Sequence, residues 1–507
     1  MSRLDRREFL TSVAGSVALS AASSAVAADK PETPRRPNII FYFADQYRAD
    51  NLGVYGGRNI TTPHLDRLAQ EGTTFNHATS ICPVCTPFRG MLMTGRYPTH
   101  SGILMNWIEA SARANPNCLA NAFGSAGYDT TMIGKWHLSA GRLKHSGKYE
   151  PNQDAIKDYQ ERHPETEFTP PGPDRLGFTN WQSYNFHCEF NNYWYYRDEP
   201  KKIHDDAYET DSQTNSAIAY MKKQQAADQP FMMVVAPHPP HPPFSRNTNP
   251  AGYLEKIPHK LHFNPNVPKN HPRRRHPLAA RCYYAMSKNV DDNIGRLMKF
   301  LDDSGLAENT IVVFTSDHGE MHGSHGRINK MVPYTEAVHI PMIVRWPGRI
   351  PAGKRTDGLC TPVDFFPTLC GLAGVSVPDT VDGIDLSDVC LGRRQSGRED
   401  TLMMNYTSHW DYFQTGTQWP EWRGIHTGNH TYVKWLNGKE ELYDNREDPY
   451  QMANLAEGSK ELPLLKRFRH RIKDLLSEAH DDFPPGTAYA DWFDDGRNLL
   501  RTSLGPV

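Results

Sequence analysis

The sequence predicts an α/β fold: a large, mainly parallel central sheet flanked by helices, followed by a small C-terminal α+β subdomain with an antiparallel sheet. Three observations carry this expectation. Short apolar runs alternate with segments of helical character. Each run is followed at once by polar residues. Near the C-terminus, two short aromatic and β-branched runs flank a polar turn.

The first run, 38–44, reads Asn-Ile-Ile-Phe-Tyr-Phe-Ala and ends at Asp45-Gln46. Continuous apolar character marks a strand buried on both faces. A helix follows over 63–71, opening on Pro63. At Cys85-Thr86-Pro87, the proline suits a first helical turn, where its missing N–H is unpaired anyway. Residues 88–93 continue that helix and Gly95 ends it. Cys85 then sits at a helix N-terminus, where backbone N–H groups favour an anion. The second run, 130–133, precedes Lys135 and His137. A long insertion spans 140–210 and carries Trp181, Tyr184, Phe186, His187, Asn191, Asn192 and the run Tyr193-Trp194-Tyr195-Tyr196. The third strand run, 231–236, leads to His238 and His241; a helix over 283–304 precedes the fourth, 311–315, which leads to Asp317-His318. In open α/β sheets, sites form beyond the carboxyl ends of strands, so these four polar segments are expected to converge. Further on, the runs 422–425 and 432–435 around 427–430 predict an antiparallel hairpin, and Glu441-Leu442-Tyr443-Asp444 with Asp448-Pro449 leads to a helix over 462–480.

With 507 residues, the chain has room for one large domain and a smaller one. A net charge of −2 gives no electrostatic case for nucleic-acid binding. No stretch after the N-terminus approaches the ~18 apolar residues of a membrane span. Asp5-Arg6-Arg7-Glu8-Phe9-Leu10, the apolar run 10–27 and its ending Ala25-Val26-Ala27 resemble a twin-arginine export signal. The expected organisation is a signal peptide over 1–27, a linker over 28–36, a catalytic α/β domain over 37–395 and a C-terminal subdomain and tail over 396–507. A bacterial, periplasmic or secreted protein with no stable membrane anchor follows from that signal. Eight cysteines are present; their spacing leaves any pairing open.

Cys85-Thr86-Pro87-Phe88-Arg89, continued by Thr94-Gly95, is the most specific motif. Cys82-Pro83-Val84-Cys85 is also a C-x-x-C, but no second one exists to complete a zinc ribbon. The Cys-x-Pro-x-Arg pattern resembles the signature of type I sulfatases, in the alkaline phosphatase superfamily. So do Pro37-Asn38-Ile39-Ile40 before Asp45, Ser316-Asp317-His318-Gly319-Glu320, Gly323-Ser324-His325-Gly326, Lys330, Tyr334 and 340–345, which follow in family order.

The resemblance implies a sulfuric ester hydrolase whose Cys85 is oxidised by a maturation enzyme to Cα-formylglycine. It implies catalytic roles for Cys85, Arg89, Lys135, His137, His241 and Lys330. Asp45, Gln46, Cys85, Asp317 and His318 are the implied ligands of one divalent ion. Ca²⁺ suits the oxygen donors; the His318 nitrogen leaves Mn²⁺ or another divalent ion open. His241 is the first choice for protonating the leaving alcohol, with Lys330 assisting. His137 is the base that later helps release sulfate. His238 is assigned to loop structure. The implied partners are a sulfated small molecule or saccharide, the maturation enzyme and the twin-arginine machinery. The aromatic insertion and the set His409, Trp410, Trp419 and Trp422 suit either sugar stacking or packing. Asp45-Gln46 with Asp317-His318 would also suit a phosphonate monoester hydrolase or phosphodiesterase of the same superfamily. A non-catalytic carbohydrate-binding protein on the same fold is the reading from outside the enzymes.

Overall fold

In the computed structural model, β1 (Asn38–Ala44) lies at the heart of an eight-stranded sheet. The structure describes residues 35–141, 163–227, 229–406, 421–457 and 462–507. The export signal, most of the linker, and His409, Trp410 and Trp419 lie outside the described residues. So does part of the 140–210 insertion.

The large sheet also contains β2 (Thr73–Ala78), β3 (Asp129–Lys135) and β4 (Asn180–Tyr184). A short hairpin, β5 (Tyr193–Tyr195) with β6 (Ile203–Asp205), stands apart from it. The sheet continues with β7 (Phe231–Ala236), β8 (Thr310–Ser316), β9 (Met342–Arg345) and β10 (Lys354–Cys360). Its order is β10-β2-β9-β8-β1-β7-β3-β4. All pairings are parallel except those of β9, which runs antiparallel to both β2 and β8.

The two faces of β1 enter different cores. Ile39, Phe41 and Phe43 pack with Phe75, Phe88 and Phe365, whereas Ile40, Tyr42 and Ala44 pack with Val290, Ile294 and Leu297. The first face is covered by α2 (Cys85–Thr94), with α1 (Pro63–Gln70) preceding it on the other face. That second face also carries α3 (Glu209–Ala227) and α4 (Leu278–Ser304). The first face is completed by α5 (Pro362–Ala373). Each fully buried Ile, Phe or Leu on these faces is worth roughly 1.5–3 kcal/mol relative to exposure. This double coverage explains why the central strands lack polar alternation.

The small sheet is formed by β11 (Thr401–Asn405), β12 (Trp422–His426), β13 (His430–Trp435) and β14 (Glu440–Asp444), antiparallel throughout. The expected hairpin is therefore the centre of a four-stranded sheet, and 441–444 is a strand of it. Helix α6 (Pro463–Glu478) buries Leu465, Phe468, Ile472 and Leu475, with Tyr432 and Phe468 stacked at 5.8 Å. The Met404 amide donates to the Ile81 carbonyl at 2.7 Å, and Trp422 Nε1 donates to the Met331 carbonyl at 3.0 Å. The small sheet thus braces the segment that leads into Cys85 at the start of α2 and the loop that carries Lys330. Among the described residues, no helix is long and apolar enough to cross a membrane.

The aromatic insertion resolves into packing. Trp181, Tyr184, Tyr193, Trp194, Tyr195 and Tyr196 are all buried, and so is Trp422. Their stacking on a bound sugar, one of the two uses open to them in the sequence, does not occur in this arrangement. All eight cysteines carry thiols, so no pairing completes the fold.

Candidate active site at four strand ends

Strands β8, β1, β7 and β3 are neighbours and all parallel, so their carboxyl ends lie side by side. Asp317-His318 leaves β8, Asp45-Gln46 leaves β1, His238 and His241 follow β7, and Lys135-Trp136-His137 closes β3. Gly134 permits the approach of β3 to β7: a Cβ there would meet the Ala236 carbonyl oxygen at 2.4 Å. Gln46 and His137 turn out of their strands with φ of 68° and 51°. That left-handed backbone is costly for residues other than glycine and is concentrated at functional sites.

Helix α2 delivers the cysteine. Cys85 is its first residue, Val84 is the N-cap, and Gly95 closes it in the left-handed conformation with its amide on the Met91 carbonyl. All ten residues of α2 are buried. Thr86 Oγ1 donates to the His137 carbonyl at 2.8 Å, tying the helix start to the end of β3.

Cys85 Sγ meets three groups: His318 Nε2 at 3.2 Å, Lys330 Nζ at 3.5 Å and Asp45 Oδ1 at 3.6 Å. Asp45 Oδ2 accepts from Lys135 Nζ at 2.6 Å and from Arg89 Nη2 at 3.0 Å. Arg89 therefore acts on Asp45, with its other arm donating to the Lys135 carbonyl at 2.5 Å. Asp317 Oδ1 accepts from the Gln46 and His318 amides, each at 2.8 Å, while its Oδ2 has no hydrogen-bond partner among the described residues. Gln46 Oε1 accepts from Lys330 Nζ at 2.7 Å, and its amide nitrogen is held by Glu320 Oε2. Lys330 Nζ is also 3.2 Å from His241 Nε2.

The electrostatics divide these groups. Against the cost of burial, the charges of Lys135 and Arg89 hold Asp45 well below the usual carboxylate range. Burial and the neighbouring Asp45 charge push Asp317 up to about 7. His318, His241 and His137 are driven well below the ordinary imidazole range, burial being the largest cause in each. They are neutral rings. His318 Nδ1 donates to the Gly319 carbonyl at 3.1 Å, so its Nε2 lone pair points into the cluster. His137 is buried between Trp107 and Phe186, with ring centroids at 4.7 and 4.9 Å, and neither ring nitrogen has a hydrogen-bond partner among the described residues. Burial raises the Cys82 thiol to about 12, which makes a reactive C-x-x-C pair with Cys85 unfavourable.

Asp45, Cys85, Asp317 and His318 offer ligand atoms that all lie within 4.8 Å of one another. Two buried carboxylates, one with an unpartnered oxygen, and an inward imidazole lone pair are a donor set that fits a divalent cation. Every expected site residue is thus at this one locus. Sequence reasoning missed three supports. Glu320 fixes the Gln46 amide; Ser80 Oγ donates to the Asp317 carbonyl at 2.5 Å; Phe186 lies under Lys135 Nζ at 4.8 Å. Glu320 was visible inside the Ser316-to-Glu320 motif, but nothing local gave it a partner.

The comparisons with known proteins agree with this geometry. The sulfatase family model matches residues 37–375, and a model for the C-terminal part of N-sulphoglucosamine sulphohydrolase matches 323–478. An ulvan-active sulfatase of Formosa agariphila is 33% identical over 461 residues, covering 90% of this chain and 84% of that protein. An endo-4-O-sulfatase of Bacteroides thetaiotaomicron is 29% identical, covering 84% of this chain and 89% of its own. The crystal structure of yidJ, a sulfatase-type protein of Bacteroides fragilis, superposes with a TM-score of 0.76 at 31% identity, over 90% of this chain and 98% of that one. This chain belongs to the sulfatase family and is a sulfuric ester hydrolase.

Proposed function

We propose that the chain hydrolyses sulfate esters of a carbohydrate at the Cys85 locus. The observation that carries this is the meeting of Cys85 Sγ with His318, Lys330 and Asp45 at the ends of adjacent parallel strands. The carbohydrate substrate is supported by the names of the two similar sulfatases, one active on ulvan and one an endo-4-O-sulfatase.

Asp45, Gln46, Asp317, His318 and the Cys85 side chain would hold one divalent cation. Oxygen donors favour Ca²⁺, and the His318 nitrogen also suits Mn²⁺. When bound, the cation would offset negative charge on the sulfate group. Cys85 oxidised to formylglycine would supply a hydrated aldehyde as the nucleophile.

The remaining chemistry belongs to the chain. Arg89 and Lys135 clamp Asp45 and keep it ionised and in place. Glu320 turns the Gln46 amide so that Oε1, and not Nε2, faces Lys330 and the cluster. His241 Nδ1 donates to the Pro242 carbonyl at 2.8 Å, so its Nε2 shares the Lys330 proton. The His241–Lys330 pair would deliver that proton to the departing alcohol. His137, neutral and with neither ring nitrogen hydrogen-bonded among the described residues, would accept a proton as sulfate leaves.

His241→Ala is accordingly expected to lose more activity on an alkyl or sugar sulfate than on nitrophenyl sulfate, whose leaving group needs little protonation. The gap should be roughly 10²–10⁴-fold. Equal losses on both substrates would leave His241 only a sulfate-binding role, with Lys330 as the acid.

Residues 1–27 we read as a twin-arginine signal that exports the folded, already modified enzyme to the periplasm or beyond. The maturation enzyme would act before export. With a division at 395/396, the α/β part would end before β11 and the C-terminal subdomain would hold the whole small sheet, β11 to β14. The reading as a carbohydrate sulfatase is tested by assaying formylglycine-positive enzyme on sulfated oligosaccharides and on a phosphonate monoester in parallel. Sulfate release from at least one saccharide, at rates well above phosphonate hydrolysis, is the expected result. Faster phosphonate hydrolysis would reverse the assignment.

A further inference from the structure

A second set of metal-type ligands lies beside the first. Ligand atoms of Cys188, His238 and His241 all lie within 4.8 Å of one another. Cys188 belongs to the loop between β4 and β5, and the two histidines follow β7. The two rings are 4.3 Å apart, inclined by 31°.

The tautomers of both histidines are set by the backbone. His238 Nδ1 is 2.7 Å from the His187 carbonyl, and His241 Nδ1 is 2.8 Å from the Pro242 carbonyl. A carbonyl only accepts, so each Nδ1 carries the proton and each Nε2 carries a lone pair. This is the arrangement found around metal-bound histidines, where the outer hydrogen bond fixes the ring. Further bonds hold the segment: the His238 amide donates to Glu209 Oε1, and the His241 amide donates to the His238 carbonyl, both at 2.9 Å.

Packing accounts for part of this. Cys188 lies against Phe190, Tyr208 and Met286 and would serve there as a small apolar residue. It does not account for His238 Nε2, which is wholly buried and has no hydrogen-bond partner among the described residues. A buried acceptor without a partner is costly and calls for an occupant. Cys188 and His241 are only half-buried, which leaves a way in.

We infer that Cys188, His238 and His241 bind a thiophilic divalent cation such as Zn²⁺, and that this cation inhibits the enzyme reversibly. One sulfur and two imidazole nitrogens select a soft or borderline metal over Ca²⁺. Zn–S and Zn–N bonds of about 2.3 and 2.0 Å put neighbouring ligand atoms roughly 3–4 Å apart, so atoms that lie within 4.8 Å need at most a small closure by side-chain torsion. Binding as thiolate releases the Cys188 proton to solvent, and water completes the coordination. His241 Nε2 is the same atom that meets Lys330 Nζ at 3.2 Å. One lone pair cannot serve both, so metal binding removes His241 from its pair with Lys330.

The inhibition rests on the function proposed above; the binding does not. Binding is tested in Cys85→Ala protein, which removes the other nearby thiol, with Ca²⁺ present and Co²⁺ as the probe. One equivalent of Co²⁺ should produce thiolate-to-metal charge-transfer absorption, and the double variant with Cys188→Ser should lose it. No band in the first protein, or an unchanged band in the second, overturns the site. In formylglycine-positive enzyme, Cys188→Ser should keep its basal activity, which also reports an intact fold. It should need at least about tenfold more Zn²⁺ for half-inhibition. Equal Zn²⁺ sensitivity of the two enzymes overturns the inhibitory role, whatever the spectra show.

Discussion

Cys85→Ala is expected to lower turnover of sulfate esters by roughly 10⁴–10⁶-fold, the scale seen when an enzyme loses its nucleophile. The site is built around that one side chain: His318, Lys330 and Asp45 all reach Sγ within 3.6 Å. An unmodified thiol would serve poorly there. Burial and the Asp45 charge raise it to about 11, so little thiolate exists at neutral pH. Conversion to formylglycine removes this obstacle, and the Cys85 peptide of active enzyme should be ~18 Da lighter than the cysteine form. Alanine at the first helical position keeps α2 intact, so circular dichroism and thermal stability should stay close to those of the parent. Full activity in protein whose Cys85 is still a thiol would sink this mechanism.

How much of this was readable in advance depended on which forces act locally. β8, β1 and β7 were legible because both faces of each are buried, which writes a nearly continuous apolar run, and β3 from the short Thr-Thr-Met-Ile stretch before Lys135. β2, Thr-Thr-Phe-Asn-His-Ala, and β10, Lys-Arg-Thr-Asp-Gly-Leu-Cys, were not. β10 lies at the sheet edge and β2 beside it, where polar residues are tolerated and the strand pattern fades. The antiparallel entry of β9 is set by contacts far apart in sequence, which no window of the chain records. At the site, the chemically active residues were legible from type and position after a strand. Their partners were not: Glu320 and Gln46 are 274 positions apart, and Ser80 and Asp317 are 237 apart. The aromatics of the insertion failed differently. Their composition suits sugar stacking and packing alike, and only burial separates the two.

Asp317→Ala is expected to abolish activity and metal binding together, and yet to leave the metal-free protein as stable as its parent or more so. The reasoning starts from two carboxylates buried in one cluster. Arg89 and Lys135 both hydrogen-bond or pair with Asp45, whereas Asp317 has a distant Arg89 contact at 3.7 Å, the neutral His318 ring at 3.5 Å and two backbone amides. Burial and the Asp45 charge therefore raise Asp317 from 3.8 to about 7. The sign follows from proton counting. Between those two values the folded protein retains a proton that the unfolded chain has lost. Stability contributed by this group falls as pH rises through that window, and above about 7 the ionised carboxylate is a net burden on the metal-free fold. A divalent cation takes the place of the proton. Added Ca²⁺ should raise the melting temperature of chelator-treated wild type more at pH 8 than at pH 5, by mass action on the folded state. In Asp317→Ala that increment should vanish at both pH values, while the melting temperature without metal at pH 8 should equal or exceed that of wild type. A chelator-treated wild type with full activity, or an alanine variant that Ca²⁺ stabilises as much as the parent, would remove Asp317 from the metal site. The same buried charge that weakens the empty fold is what gives the cation its affinity, so stability and function oppose each other at this residue.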